Sequence, residues 1–368
     1  VFIGIISFPF LNDRFHFIND IESFENRRIN QEPDFNIKKL DPFPEAFEKY
    51  YNDTFSLRNR AILIFNDYNA LVFQKSPFPD KVIIGTNKWL YLAGKDIDLY
   101  LGRDRFTNDE LKALCKELEL KKKVVESRNC KFYVMITPGK AVVHPENIPF
   151  TYHRLNEQSW GEQLMEYMKT NSSINVIDLH TQLKEKAKSQ TLYYRVDNHW
   201  NSLGAFYAAN IAITEMSRDD KRLQPLNMSN YTLEKKVFKG GNIKQILGNP
   251  EYYHDTEVVF TPRVPLKATV APSMNHPVPH WFPYPWEYEF ENEIKNSTNP
   301  KLLIFSDSFG ALIFPFLSEN FSRTVKIFGG WSYIINEEIM DKEKPDVVLL
   351  VIHEPFIRNI FENLTKPK

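Results

Sequence analysis

Lys301-Leu-Leu-Ile-Phe-Ser-Asp-Ser-Phe-Gly310 is the stretch that decides the fold. Leu302 to Phe305 is a short, unbroken apolar run, the pattern of a strand covered on both faces. It stops at Ser306-Asp307-Ser308, and Ala311 to Leu317 continues with an amphipathic helical pattern. Ser308 therefore falls at a strand-to-helix turn. Open α/β sheets place their sites at such turns, where the first N–H groups of the helix are free to bind negative charge. An isolated serine there is also an ordinary helix cap, so the reading needs a partner.

Asp197-Asn-His199-Trp200 offers one. Residues two apart in an extended loop point the same way. A carboxylate can then take the proton of one imidazole nitrogen and leave the other facing a serine hydroxyl. Asn201 or Ser202 caps a helical run through Ile213, so the Asp-x-His pair sits at a helix entrance.

Outward from these motifs, strand and helix signals alternate from Lys81 onward. Strands are expected at Val82–Ile84, Trp89–Leu92, Phe132–Thr137, Ile174–Leu179, Leu302–Phe305, Val325–Phe328 and Val347–Ile352. Helices are expected at 107–128, 155–170, 179–188, 202–217, 309–320 and 332–342. This alternation predicts a parallel sheet with helices on both faces. Residues 1–80 read as a leader, 81–368 as the main domain, and about 225–300 as an irregular, proline-punctuated insertion.

Taken together, the order of motifs resembles the SGNH-hydrolase-like polysaccharide O-acetyltransferases of the AlgX/AlgJ type and their DHHW-motif relatives. Glu25-Asn-Arg27 and Phe43–Arg58 resemble the family's leader, and Val82–Tyr91 its first strand pair. Thr137-Pro-Gly-Lys140 with His144–Pro149, and Gly241–Gly248, resemble two further elements. Three positions depart from the pattern. Gly139 stands where relatives carry Asn, Ser306 where esterases carry Gly, and His353-Glu-Pro355 where Glu-Arg is expected.

The resemblance implies a flavodoxin-like α/β fold and a catalytic set of Ser308, His199 and Asp197. It implies acetyl transfer through a serine ester onto an extracytoplasmic polysaccharide. The acetyl donor would come from a membrane-bound O-acyltransferase, with no cofactor and no metal. The same triad would serve a carbohydrate esterase, and a retained fold would serve a non-catalytic polysaccharide-binding subunit. The oxyanion is expected on the N–H of Ser308 or Phe309 at the helix start, with Gly329 or Gly330 as a second donor. Lys140 and His144, following a strand, are expected to line the mouth of the site, and Trp200 lies beside it. Trp281, Tyr284 and Trp286, in a run of prolines, offer flat faces for stacking on sugar rings; the competing expectation is that they plug a gap in the core.

Composition sets outer limits. A net charge of −1 without a basic run disfavours nucleic acid as a partner. His254, His276 and His280 show no metal-ligand spacing. The opening apolar run, Val1–Leu11, is too short to span a bilayer. It is expected to be the end of a longer signal anchor, or else a buried strand or short helix. Thr107-x-x-Glu110 is a capping box for a long helix containing Cys115. Cys130 lies before the next strand, too far along to bridge to it, so two free and mostly buried thiols are expected.

Overall fold

The computed structural model describes residues 2–21, 29–35, 37–38, 40–73, 75–248 and 251–360. The Glu25–Arg27 motif lies outside these. Three helices come first: α1 (Phe2–Phe15), α2 (Pro42–Thr54) and α3 (Arg58–Val72). The hairpin β1 (Val82–Ile84) and β2 (Leu90–Leu92) leads to α4 (Lys95–Leu101) and α5 (Asn108–Glu126). Then come β3 (Lys131–Thr137), α6 (Lys140–Val143), α7 (Trp160–Asn171), β4 (Asn175–Ile177), α8 (Leu179–Ala187) and α9 (Ser202–Met216). Next are β5 (Tyr231–Phe238), α10 (Asn242–Ile246), β6 (Asp255–Pro262), β7 (Thr269–Val270) and β8 (Glu289–Glu293). The chain closes with β9 (Lys301–Ser306), α11 (Gly310–Ser318), β10 (Arg323–Phe328), α12 (Glu337–Glu343) and β11 (Val347–His353).

The central sheet runs β4-β3-β11-β9-β10-β8-β7. Its first five strands are parallel, and β8 and β7 extend it antiparallel. Strand residues alternate between two cores, as the period of two demands. Tyr133, Met135, Leu302, Ile304, Leu349 and Val351 face α8, α9 and α11. Phe132, Val134, Leu303, Phe305, Leu350 and Ile352 face α5, α7 and α12. Burial on both faces is why these strands read as continuous apolar runs. The capping box of α5 forms, with Thr107 accepting from the Glu110 N–H. Cys115 and Cys130 are free and buried.

Three expectations need correction. The segment 225–300 is not an irregular loop: β5 and β6 pair over eight residues, and β7 and β8 join the main sheet. Strand β5 is almost wholly exposed, so its sequence lacks the apolar alternation that would reveal it. The final helix begins at Glu337 rather than near 332, because Trp331 and Tyr333 take positive φ and break helical geometry. The opening apolar run is neither a strand nor buried; it forms the exposed helix α1, which contains Pro9. Among the described residues no helix is long and apolar enough to cross a membrane.

Parallel strands bring their carboxyl ends to one rim. His353 pairs with Thr137 across β11 and β3, and Phe328 with Ser306 across β10 and β9. The turn after β9 is tightly packed at Gly310, where an added Cβ would lie 2.1 Å from Ser306 Oγ. Replacement Gly310→Ala is expected to destabilise the fold by roughly 1–3 kcal/mol through overpacking, read as a lower urea midpoint with unchanged slope.

Candidate active site

The turn at Ser308 is built by its neighbour. Asp307 is fully buried, and its Oδ1 accepts the Phe309 N–H at 2.9 Å. Its Oδ2 accepts the Tyr333 hydroxyl and the His353 N–H, both at 2.7 Å. Burial still pushes the Asp307 carboxyl above its ordinary range, against the pull of Tyr333, Phe309 and His353. The aspartate thus ties the end of β9 to β11 and to the segment before α12, and leaves Ser308 projecting half-exposed.

His199 meets that serine. Its Nε2 lies 2.7 Å from Ser308 Oγ, and its Nδ1 lies 2.6 Å from Asp197 Oδ1. Asp197 also accepts the His199 N–H at 2.9 Å and, on its other oxygen, the Asn242 N–H at 2.8 Å. Burial opposes the charge on Asp197, but the His199 ring and these N–H donors outweigh it and hold the carboxyl below its usual pKa. The arrangement assigns the proton: Nδ1–H donates to Asp197, and Nε2 is free to accept from the serine. Asn201 caps α9 with two bonds, fixing the loop's exit. The Phe309 ring packs 4.9 Å from His199, 5.0 Å from Trp200 and 3.9 Å from the buried His353. Burial lowers the His353 pKa to about 3, so that ring is neutral.

Other expected site residues fall elsewhere. The Phe309 N–H is taken by Asp307, so it is no oxyanion donor. The Gly329 N–H goes to the Ser306 carbonyl. Among the described hydrogen bonds the Ser308 and Gly330 N–H groups have no acceptor. Gly330 takes φ 58°, and Trp281 leaves no room for a Cβ there. Lys140 and His144 do not line the mouth; both are buried. Lys140 Nζ donates to the carbonyls of Leu90, Arg195 and Asp197. His144 Nε2 accepts the Leu192 N–H, and its Nδ1 pairs with Glu146. They turn inward toward loop 192–197, where Lys140 meets the Arg195 and Asp197 carbonyls and His144 the Leu192 N–H; Arg195 O also accepts the Leu90 N–H of β2. Trp200 is also fully buried, forming the wall behind Phe309 rather than a substrate contact. Trp281 and Trp286 are 57% and 71% exposed, while Phe282 and Tyr288 fill the gap beneath them.

Sequence reasoning passed over Asp307, Tyr333, Asn242 and Glu354 as parts of the site. Only Asp307 carried a signal, being a charge at the buried end of an apolar strand. Glu354 is fully buried, with Oε2 3.1 Å from His180 Nε2 and accepting the Gly139 N–H, while Oε1 accepts the Gly161 N–H. Half-buried Asp96, on α4, has its carboxyl raised to about 7 by burial and by Glu354. For metals, His276, Glu289 and Glu343 bring ligand atoms within 4.8 Å of one another. Arg323, however, already donates to both oxygens of Glu343. The cluster is an ion-paired strap joining the segment around His276 to β8, β10 and α12.

The fold is SGNH hydrolase-like. Residues 82–251, a little under half of the chain, match the family described as SGNH hydrolase-like domain, acetyltransferase AlgX. The match includes Asp197 and His199 and ends before Ser308. The probable alginate O-acetylase AlgJ of Pseudomonas syringae pv. tomato is 24% identical over 169 residues, covering 45% of this chain and 40% of that protein. The aligned part is thus well under half of that relative. Bacillus cereus PatB1 superposes with a TM-score of 0.54 at 16% identity, covering 75% of this chain and 97% of that one. A DHHW family protein from Eubacterium siraeum gives 0.51 at 18% identity, covering 76% and 98%. At these identities the two structures establish the fold.

Glu354 supplies a pH prediction. Burial works against its charge, but His180, Ser159 and the Gly161 N–H prevail and hold its carboxyl at about 2, against an ordinary 4.5. A depressed carboxyl pKa stabilises the fold above the ordinary value and loses that effect as pH falls through the folded value. Thermal melts should therefore fall from about pH 4.5 toward 2, and Glu354→Gln should melt lower at neutral pH with a shallower acid slope.

Proposed function

We propose that this protein is a serine-dependent O-acetyltransferase acting on the hydroxyls of an extracytoplasmic polysaccharide. The observation that carries the reading is the chain Asp197 Oδ1–His199–Ser308 Oγ, closed by contacts of 2.6 and 2.7 Å. Ser308 Oγ attacks the carbonyl of an acetyl donor while His199 Nε2 takes its proton. Asp197 orients the ring and stabilises the imidazolium. The tetrahedral oxyanion rests on the Ser308 N–H, with Gly330, two residues past the Ser306–Phe328 pair, as a second donor. Collapse expels the donor's oxygen, which recovers the proton from His199. An acceptor hydroxyl then gives its proton to His199 as it attacks the acetyl-serine; collapse breaks the bond to Ser308 Oγ, which recovers the proton from His199, and the new ester leaves.

The exposed Trp281 and Trp286 support an acceptor groove on the β10 side of the serine. Trp281 packs on Gly330, and Lys326 Nζ donates to the Glu287 carbonyl, fastening the turn that carries Trp286. Indole faces suit pyranose rings. The acetyl groups would come, as the resemblance of the sequence motifs implies, from a membrane-bound O-acyltransferase. The exposed Phe2, Ile3, Ile6 and Phe10 of α1 support a position at a membrane surface. Water would replace the sugar in a carbohydrate esterase, a reading favoured by the part-exposed His199 and Ser308.

A sulfonyl fluoride should label Ser308, as detected by mass spectrometry. Ser308→Ala should lose the label and at least about a thousandfold in turnover, whereas Ser306→Ala keeps both; full activity in Ser308→Ala removes the assignment. Incubation with an acetyl ester and oligosaccharides, with acetylated acceptor and free acetate both measured, separates transferase from esterase. Trp281→Ala should raise the acceptor KM roughly tenfold with little change in small-ester hydrolysis. Equal loss of both would make the indole a packing element.

A further inference from the structure

Between the Tyr193–Trp200 bridge, residues 195–199 form a bent loop outside any strand, yet this loop carries Asp197 and His199. The Arg195 carbonyl meets one strand N–H, that of Leu90 at 2.8 Å, and the rest of the loop's backbone groups must find partners outside a sheet ladder. The carbonyls of Arg195 and Asp197 find Lys140, with Nζ at 2.7 and 3.0 Å, and the third ammonium proton goes to Leu90 O on β2 at 2.6 Å. The Val196 carbonyl points the other way, to the Lys244 N–H of α10. All three donors of one ammonium are used, two of them on loop carbonyls, at Asp197 and two residues before it. A tetrahedral cation suits three carbonyls converging on one point; a planar guanidinium does not. The Trp89 and Tyr91 rings, 5.0 and 5.2 Å from Nζ, close the hollow around it.

We propose that Lys140 is a positioning residue for the triad: by fixing the Arg195 and Asp197 carbonyls to β2, it sets where the Asp197 carboxylate stands and hence how His199 is aimed. This inference rests on the triad reading given above. Lys140 touches neither Ser308 nor substrate. Its counterpart on the far side of the loop is Asn242, whose N–H holds Asp197 Oδ2 and whose Oδ1 accepts the Asn198 N–H at 3.1 Å. Burial draws the Lys140 pKa down to about 7, against the pull of Asp197, Asp255 and Asp96. A lysine kept in so costly a place matches a demand from the loop rather than from solvent.

A double-mutant cycle separates positioning from general support of the fold. Lys140→Met, Asp197→Asn and the double variant are assayed with para-nitrophenyl acetate, with rates referred to the folded fraction measured by circular dichroism. Lys140→Met should lower kcat by roughly 10–100-fold, the scale of a misplacement near 1 Å, with KM little changed. In the Asp197→Asn background the same change should cost less than about twofold, since its route of action is already cut. Lys140→Gln keeps two donors in the hollow; it should lose less than the Met variant, and the cycle is run with it should Lys140→Met not fold. An equal factor in both backgrounds, or no loss in the first, overturns the positioning role and leaves the triad standing. Full turnover in Asp197→Asn alone overturns both.

Discussion

A buried carboxylate, Asp307, fixes the end of the central strand, and the arrangement of the site depends on it. Three donors converge on it from β11, from the segment before α12 and from the start of α11. A charge with no exposure is tolerated only when its oxygens are satisfied. Its neighbours therefore have little freedom, and Ser308 inherits its direction from them. The same bonding decides the electrostatics of the turn: one helix-start N–H is consumed by Asp307, and that of Ser308 is left over.

Around this turn the protein holds several ionisable groups in fixed states rather than in titrating ones. His353 is neutral under the Phe309 ring, Glu354 is anionic against His180, and Asp197 is anionic against His199. Two balances are at work: burial, aided by His199, for His353, and a neighbouring histidine with hydrogen bonds overcoming burial for the two carboxylates. Such groups keep their charge state near neutral pH. His199, joined to the part-exposed serine, is thus the ring set to take a proton from it.

The insertion gives a second use of burial. Phe282 and Tyr288 pack against β10 and leave the indoles of Trp281 and Trp286 outside. The plug expected of Trp281, Tyr284 and Trp286 is formed by Phe282 and Tyr288 instead, and the three expected rings stay exposed. The ion-paired strap of His276, Glu343 and Arg323 adds a polar attachment where the apolar contact ends.

By itself the sequence determined the parallel sheet, its central strands and the pairing of Asp197-x-His199 with Ser308. Two-face burial writes an apolar run into each strand, and short spacing writes a local geometry. It could not place β5, whose exposed residues carry no alternation, or the late start of α12, which positive φ at Trp331 and Tyr333 delays. Nor could it tell that Lys140, His144 and Trp200 point inward, since a residue after a strand reads the same whether it faces solvent or a loop. Only the tertiary structure decided which N–H groups are spent, which charges are buried and which rings are exposed. Those depend on contacts between segments far apart in the chain, such as Asp307 with Tyr333 and His353, or Lys140 with Leu90 and Asp197, and no local pattern records them.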